Sequence, residues 1–117
     1  MAVTIIGGAV SASSALTTNA QTGTTYTLVL TDANNTMVEL NNASPIALTV
    51  PLNSSVAFPV GSQINLLQTG AGQVTVAGAS GVTVNATPSL KFRAQWSGAT
   101  LIKRDTNTWV LVGDVSA

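Results

Sequence analysis

Ala99-Thr100-Leu101-Ile102-Lys103-Arg104, then Asp105-Thr106-Asn107, then Thr108-Trp109-Val110-Leu111-Val112-Gly113 is the stretch that decides the fold. Two runs rich in β-branched and aromatic residues flank three residues with turn chemistry, the pattern of a β-hairpin with a three-residue loop. Side chains alternate along a strand, so this register sets Lys103 opposite Trp109 and Leu101 opposite Leu111 on one face. On the other face Ile102 meets Val110 and Thr100 meets Val112. Both faces are apolar, which predicts either a central place in a sheet or burial against another subunit. Lys103 over Trp109 forms the expected cation–π pair.

Working back from the hairpin, Val74-Thr75-Val76 and Val82-Thr83-Val84 flank the Gly-rich Ala77-Gly78-Ala79-Ser80-Gly81. They read as two strands around a turn and not as a repeat, because repeat architectures need longer periods and at least three copies. Residues 62–68 read as a strand with Ile64, Leu66 and Leu67 in the core, closed by Thr69-Gly70-Ala71-Gly72. Before them residues 56–61 form an apolar stretch broken by Pro59. Ile46-Ala47-Leu48-Thr49-Val50 is a short strand stopped at both ends by Pro45 and Pro51, which a ladder does not tolerate inside it. Residues 24–30 put Tyr26, Leu28 and Leu30 on one face, Asp32-Ala33-Asn34-Asn35 supplies a turn, and residues 36–40 read as the returning strand. A second hairpin is expected there.

Residues 1–25 contain one apolar run, Val3, Thr4, Ile5 and Ile6, ahead of Gly7-Gly8 and a tract of Ser, Ala, Thr, Asn and Gln. This reads as an extended N-terminal arm in front of a β domain over residues 26–117. No helical period of i, i+3, i+4 lasts three turns, so the fold is expected to be all-β, a small β-sandwich or jelly-roll-like domain.

With 117 residues the chain has room for one core. Charged residues are 7% of it, against about 25% in average soluble domains. The apolar fraction is ordinary, so a folded state is expected. A net charge of zero gives no field for nucleic acid or an anionic membrane and little repulsion between copies. The N-terminus lacks the basic start of a secretory signal, and no apolar run approaches the ~20 residues of a membrane span. Neither nucleic acid nor membrane is expected as a partner.

The absence of His and Cys removes the commonest general base, the commonest metal ligand and the thiolate nucleophile. Asp32, Glu39, Asp105 and Asp114 are the only acids, and two of them fall in expected turns, where Asp serves the local backbone. No catalytic residue, metal ligand or cofactor is expected. All four basic residues, Lys91, Arg93, Lys103 and Arg104, lie in the C-terminal third near Trp96 and Trp109. Alternation separates Lys103 from Arg104, and Asp105 and Asp114 offer partners, so packing and subunit contacts explain them better than a polyanion site. Trp96 is the residue placed for ligand stacking. Leu101, Ile102, Trp109, Val110, Leu111 and Val112 are the expected subunit interface.

Several segments carry a resemblance: Tyr26-Thr27-Leu28, Asp32, Asn41-Asn42-Ala43, Leu48-Thr49-Val50-Pro51, residues 53–64, residues 68–76, and the closing stretch from Trp109 to Asp114. The span resembles a β-structured module of tailed-bacteriophage virion structural proteins, capsid decoration (cement) proteins and tail fibres among them. The resemblance implies a virion part assembled in the host cytoplasm, usually homotrimeric, without catalytic residues. Tail fibres embed such a module in a longer chain, so a decoration protein that contacts the major capsid protein and stabilises the head is the first expectation. In that reading Val3, Thr4, Ile5 and Ile6 are the capsid-contact arm, adding a strand to a neighbouring subunit. The alternative is a tail-fibre or tail-tip module that binds host-surface glycan.

Overall fold

Three passes of the chain, each out along one sheet and back along a second, build the body of the protein. The structure, a computed structural model, describes residues 15–117 in full and, before them, the backbones of two short strands. These are β1 (Thr4–Ile6) and β2 (Ala9–Ser11), paired antiparallel. In the first pass β3 (Thr17–Gln21) turns through Thr22, Gly23 and Thr24 into β4 (Thr25–Thr27). In the second, β5 (Thr36–Leu40) turns into β6 (Ile46–Val50); in the third, β7 (Gln63–Gln68) turns into β8 (Val74–Gly78). β3, β5 and β7 pair in parallel, and so do β4, β6 and β8.

Each pass is therefore a rung of a short solenoid-like stack. Parallel pairing puts like positions of successive rungs above one another: Tyr26, Leu48 and Val76 line up in one sheet, and Asn19, Val38 and Leu66 in the other. Leu48, Val76, Val38 and Leu66 are buried in the single core, each stabilising the fold by about 1.5–3 kcal/mol. The corner of the third rung lies directly on that of the second. A Cβ on Gly70 would stand 2.6 Å from Asn41 Oδ1 and 2.7 Å from the Asn42 nitrogen, and one on Gly72 would overlap the Ser44 backbone. Those two glycines let the corners stack.

The larger sheet is completed by β9 (Thr83–Asn85), β10 (Gly98–Asp105) and β11 (Thr108–Gly113), in the order β3-β5-β7-β10-β11-β9. β10 runs antiparallel to both β7 and β11. The smaller sheet is closed beyond β8 by residues 90–92, whose backbone joins it at Leu90, Lys91 and Phe92.

The hairpin at residues 99–113 has the expected register, with Lys103 opposite Trp109, Leu101 opposite Leu111, Ile102 opposite Val110 and Thr100 opposite Val112. The loop is shorter than expected: Asp105 pairs with Thr108, and the irregularity falls at Arg104. The strand between Pro45 and Pro51 and the strand ending at Gln68 are also where the sequence places them, with Ile64 and Leu66 in the core but Leu67 turned outward by alternation.

Other expectations are corrected. The chain is all-β, but its strands stack in parallel rungs where a sandwich or jelly roll would pair them antiparallel. Alternating side chains look the same in either case, so the pattern was silent on direction. Residues 24–40 form no hairpin: β4 and β5 belong to different sheets, with a 3-10 turn (Leu30–Ala33) between them. Nor do residues 74–84, since β8 lies in the smaller sheet and β9 pairs in parallel with β11. Thr17 to Gln21 pair in parallel with β5.

Candidate interaction surface

Alternation on the six-stranded sheet sends Leu101, Lys103, Trp109 and Leu111 inward and Thr100, Ile102, Val110 and Val112 outward. Leu101, Trp109 and Leu111 are thus enclosed in the chain's own core, which leaves Ile102, Val110 and Val112 as the part of the expected interface a second chain can touch. Strand pairing extends that outer face. Met37, Asn65, Thr100 and Val112 lie across it in one row, and Gln63, Ile102, Val110 and Asn85 in another. Leu16, Met37, Leu67 and Val112 line one shallow hollow, and Val110 and Val112 line a second. Leu16 and Val112 are 41% and 49% exposed, large apolar side chains left in contact with water. Neither Leu16 nor Met37 had a sequence signal, because the parallel pairing that brings them beside the hairpin was not readable.

Two charged side chains are buried. Asp32 accepts hydrogen bonds from the Tyr26 hydroxyl (2.7 Å), Asn19 Nδ2 (2.9 Å) and the Val29 backbone nitrogen (3.0 Å). Asn19 Nδ2 also donates to the Tyr26 oxygen, and Gln21 Nε2 donates to Asn19 Oδ1. Burial, then the hydrogen bond to Asp32, pushes the Tyr26 hydroxyl up to about 12. Lys103 donates from Nζ to Asn53 Oδ1 and to the Phe58 carbonyl, both at 2.6 Å. The expected contact with Trp109 is present, Nζ lying 5.9 Å from the ring centroid, and Phe58 meets the same indole edge to face at 5.4 Å. Burial lowers the Lys103 pKa. Both clusters are saturated with protein partners, which marks them as structural. Asn19, Asn53 and Phe58 carried no sign of these roles in the sequence.

The remaining acids are dispersed. Asp105 accepts from the Thr106 nitrogen, and Asp114 binds Arg93 through two 2.8 Å contacts and accepts from Ser97 Oγ. The hydrogen bond from Arg93, then that from Ser97, holds the Asp114 carboxyl below its usual range. Among the described residues no three acids gather as a metal site would require. Lys91 and Arg104 are exposed.

Trp96 is the most exposed large hydrophobic of the described residues, at 67%, and its φ is +72°. A bulky residue in that left-handed region carries a strain of about 1–3 kcal/mol. Val3 and the side chains of Thr4, Ile5 and Ile6, the expected capsid-contact arm, lie outside the described residues. Comparison with protein-family models, with curated proteins and with solved structures finds no match to this chain.

Proposed function

We propose that this chain is a structural protein of a tailed-phage particle, a capsid decoration protein that assembles as a homotrimer and binds the major capsid protein to stabilise the head. The observation that carries the self-association is the outer face built by Ile102, Val110 and Val112 with Leu16, Met37 and Leu67. The two central rows of this face carry only Asn, Gln and Thr between the apolar residues, with Glu39 beside Leu67 in the next row, and those rows resemble the charge-depleted centre of a protein interface. The resemblance over residues 26–114 supports the particle.

Light scattering on the purified chain is expected to give three times its 11.8 kDa mass. Val112→Asp, which places a charge on the outer face, should give a folded monomer. A monomeric parent protein at micromolar concentration defeats the proposal. For attachment, deletion of residues 2–14 removes Val3, Thr4, Ile5 and Ile6 while sparing the first rung, which begins at Thr17. Loss of binding to phage heads with the trimer retained is the expected result.

A tail-fibre or tail-tip position is the second reading. It is favoured by rungs that stack along one axis, the geometry of an elongated assembly.

A further inference from the structure

We propose that Trp96 is the stacking platform of a binding site for a neutral saccharide. The turn from Arg93 to Gly98 holds Trp96 where a glycine would be at ease. Its side chain gains little from burial at that position, so neither backbone nor packing explains a tryptophan there. The strained turn is nevertheless fixed from every side. The Trp96 nitrogen donates to the Gln68 carbonyl at 2.7 Å, the Ser97 nitrogen to the Ala94 carbonyl, and the Ala94 nitrogen to Ser97 Oγ. Ser97 Oγ donates in turn to Asp114, and Gln95 Nε2 to the Thr69 carbonyl. The result is a turn whose backbone is fixed and which carries the indole out into solvent, so little backbone freedom is left to lose on binding.

The turn that carries the indole selects the ligand class. Arg93 spends Nε and Nη2 on Asp114, which leaves Nη1 as a donor in the same turn. Gln95 donates through its nitrogen to Thr69, which leaves its amide oxygen as an acceptor. The charges of Arg93 and Asp114 cancel, so the turn offers no net attraction to phosphate, and a nucleic-acid base stacked here would lack its backbone contacts. Arg93, Ala94, Gln95 and Ser97 supply no second large apolar side chain, whereas a protein interface needs a broad patch. A single exposed aromatic surface, in a turn that also carries one free donor and one free acceptor, fits the CH face and hydroxyls of a sugar ring.

The inference deepens the second reading, since a tail-tip module is what would meet saccharides on a cell; it rests on that reading for the origin of the ligand and not for binding itself. The test is titration of the full chain with a panel of neutral mono- and oligosaccharides, followed by intrinsic fluorescence and calorimetry. Trp109 is enclosed, so ligand-dependent quenching reports Trp96. At least one sugar should give saturable quenching. Trp96→Gly, which suits the backbone, should raise the unfolding midpoint and weaken binding tenfold or more, and Trp96→Phe should retain part of it. No saturable binding across the panel, or unchanged affinity in Trp96→Gly, overturns the proposal. So does loss of the oligomer in Trp96→Gly with no sugar bound by the parent, which assigns the indole to a subunit contact. Saccharide binding without capture of the protein on any intact bacterial cell would leave the site standing and remove only the tail-tip reading.

Discussion

The first rung and the closing hairpin each enclose a charged side chain with no opposite charge in contact among the described residues, and they do so in opposite ways. Asp32 collects neutral donors from Asn19, Tyr26 and Val29, all from the same stretch of chain. Lys103 reaches the remote Asn53 and Phe58 and so ties the segment between β6 and β7 to the hairpin. The first site shapes one turn; the second joins distant parts of the chain. Backbone bonds from Gly61 to the Lys103 carbonyl and from Lys103 to the Ser62 carbonyl reinforce that junction.

The comparison is broken most directly at Lys103. Lys103→Ala strands the Asn53 and Phe58 acceptors and opens a void beside Trp109, and should cost about 3 kcal/mol in urea unfolding. Asp32→Ala strands donors that water can partly reach at the edge of the stack, and should cost about 2 kcal/mol in the same assay. An equal or reversed ranking would show that the hairpin does not depend on its lysine tether.

Alkaline pH sharpens the contrast, because the two sites respond with opposite signs. Tyr26 in the fold titrates near 12 against an ordinary 10.0. Between those values the unfolded chain releases its proton first, so this contribution to stability is complete below pH 10 and is lost as pH rises toward 12. Lys103 has its pKa lowered in the fold. The unfolded chain holds that proton longer, so this contribution is present above the ordinary lysine value of 10.5 and is lost as pH falls through the folded value. Tyr26→Phe should therefore flatten the alkaline fall in stability, and Lys103→Met should steepen it. Denaturation midpoints measured from pH 9 to 12 check both signs.

The smallest effect sets the scale for the other two. Arg93 and Asp114 are joined by good hydrogen bonds, but their side chains are 63% and 39% exposed. Arg93→Ala should leave the urea midpoint almost unchanged, because solvent screens an exposed pair. A charge pair in water would then matter less than either unpaired charge held by neutral groups inside.

What the sequence showed and hid follows the same division. The hairpin was legible to the residue, from Thr100 opposite Val112 to Lys103 opposite Trp109, because its partners are neighbours in the chain and alternation fixes their faces. The rungs were hidden. Thr17 pairs with Thr36 but Met37 with Asn65, so the rungs recur at unequal intervals and leave no period to find. The Gly-rich run after β8 looked like a hairpin turn and instead carries the chain from one sheet to the other. On the surface, alternation puts Ile102, Val110 and Val112 on one face of the hairpin, whereas Met37 and Leu67 join them only through parallel pairing. Trp96 was singled out as an aromatic, but nothing in its neighbours announced a left-handed backbone.

Asn19 and Gln21 occupy on β3 the stacking positions that Val38 and Leu40 occupy on β5. Beyond β3 the larger sheet has no further strand among the described residues. Its parallel ladder would accept another rung by geometry, yet the side chains there are occupied with one another and with Tyr26 and Asp32. At this edge the described stack therefore differs from its interior in side-chain chemistry and not in backbone shape.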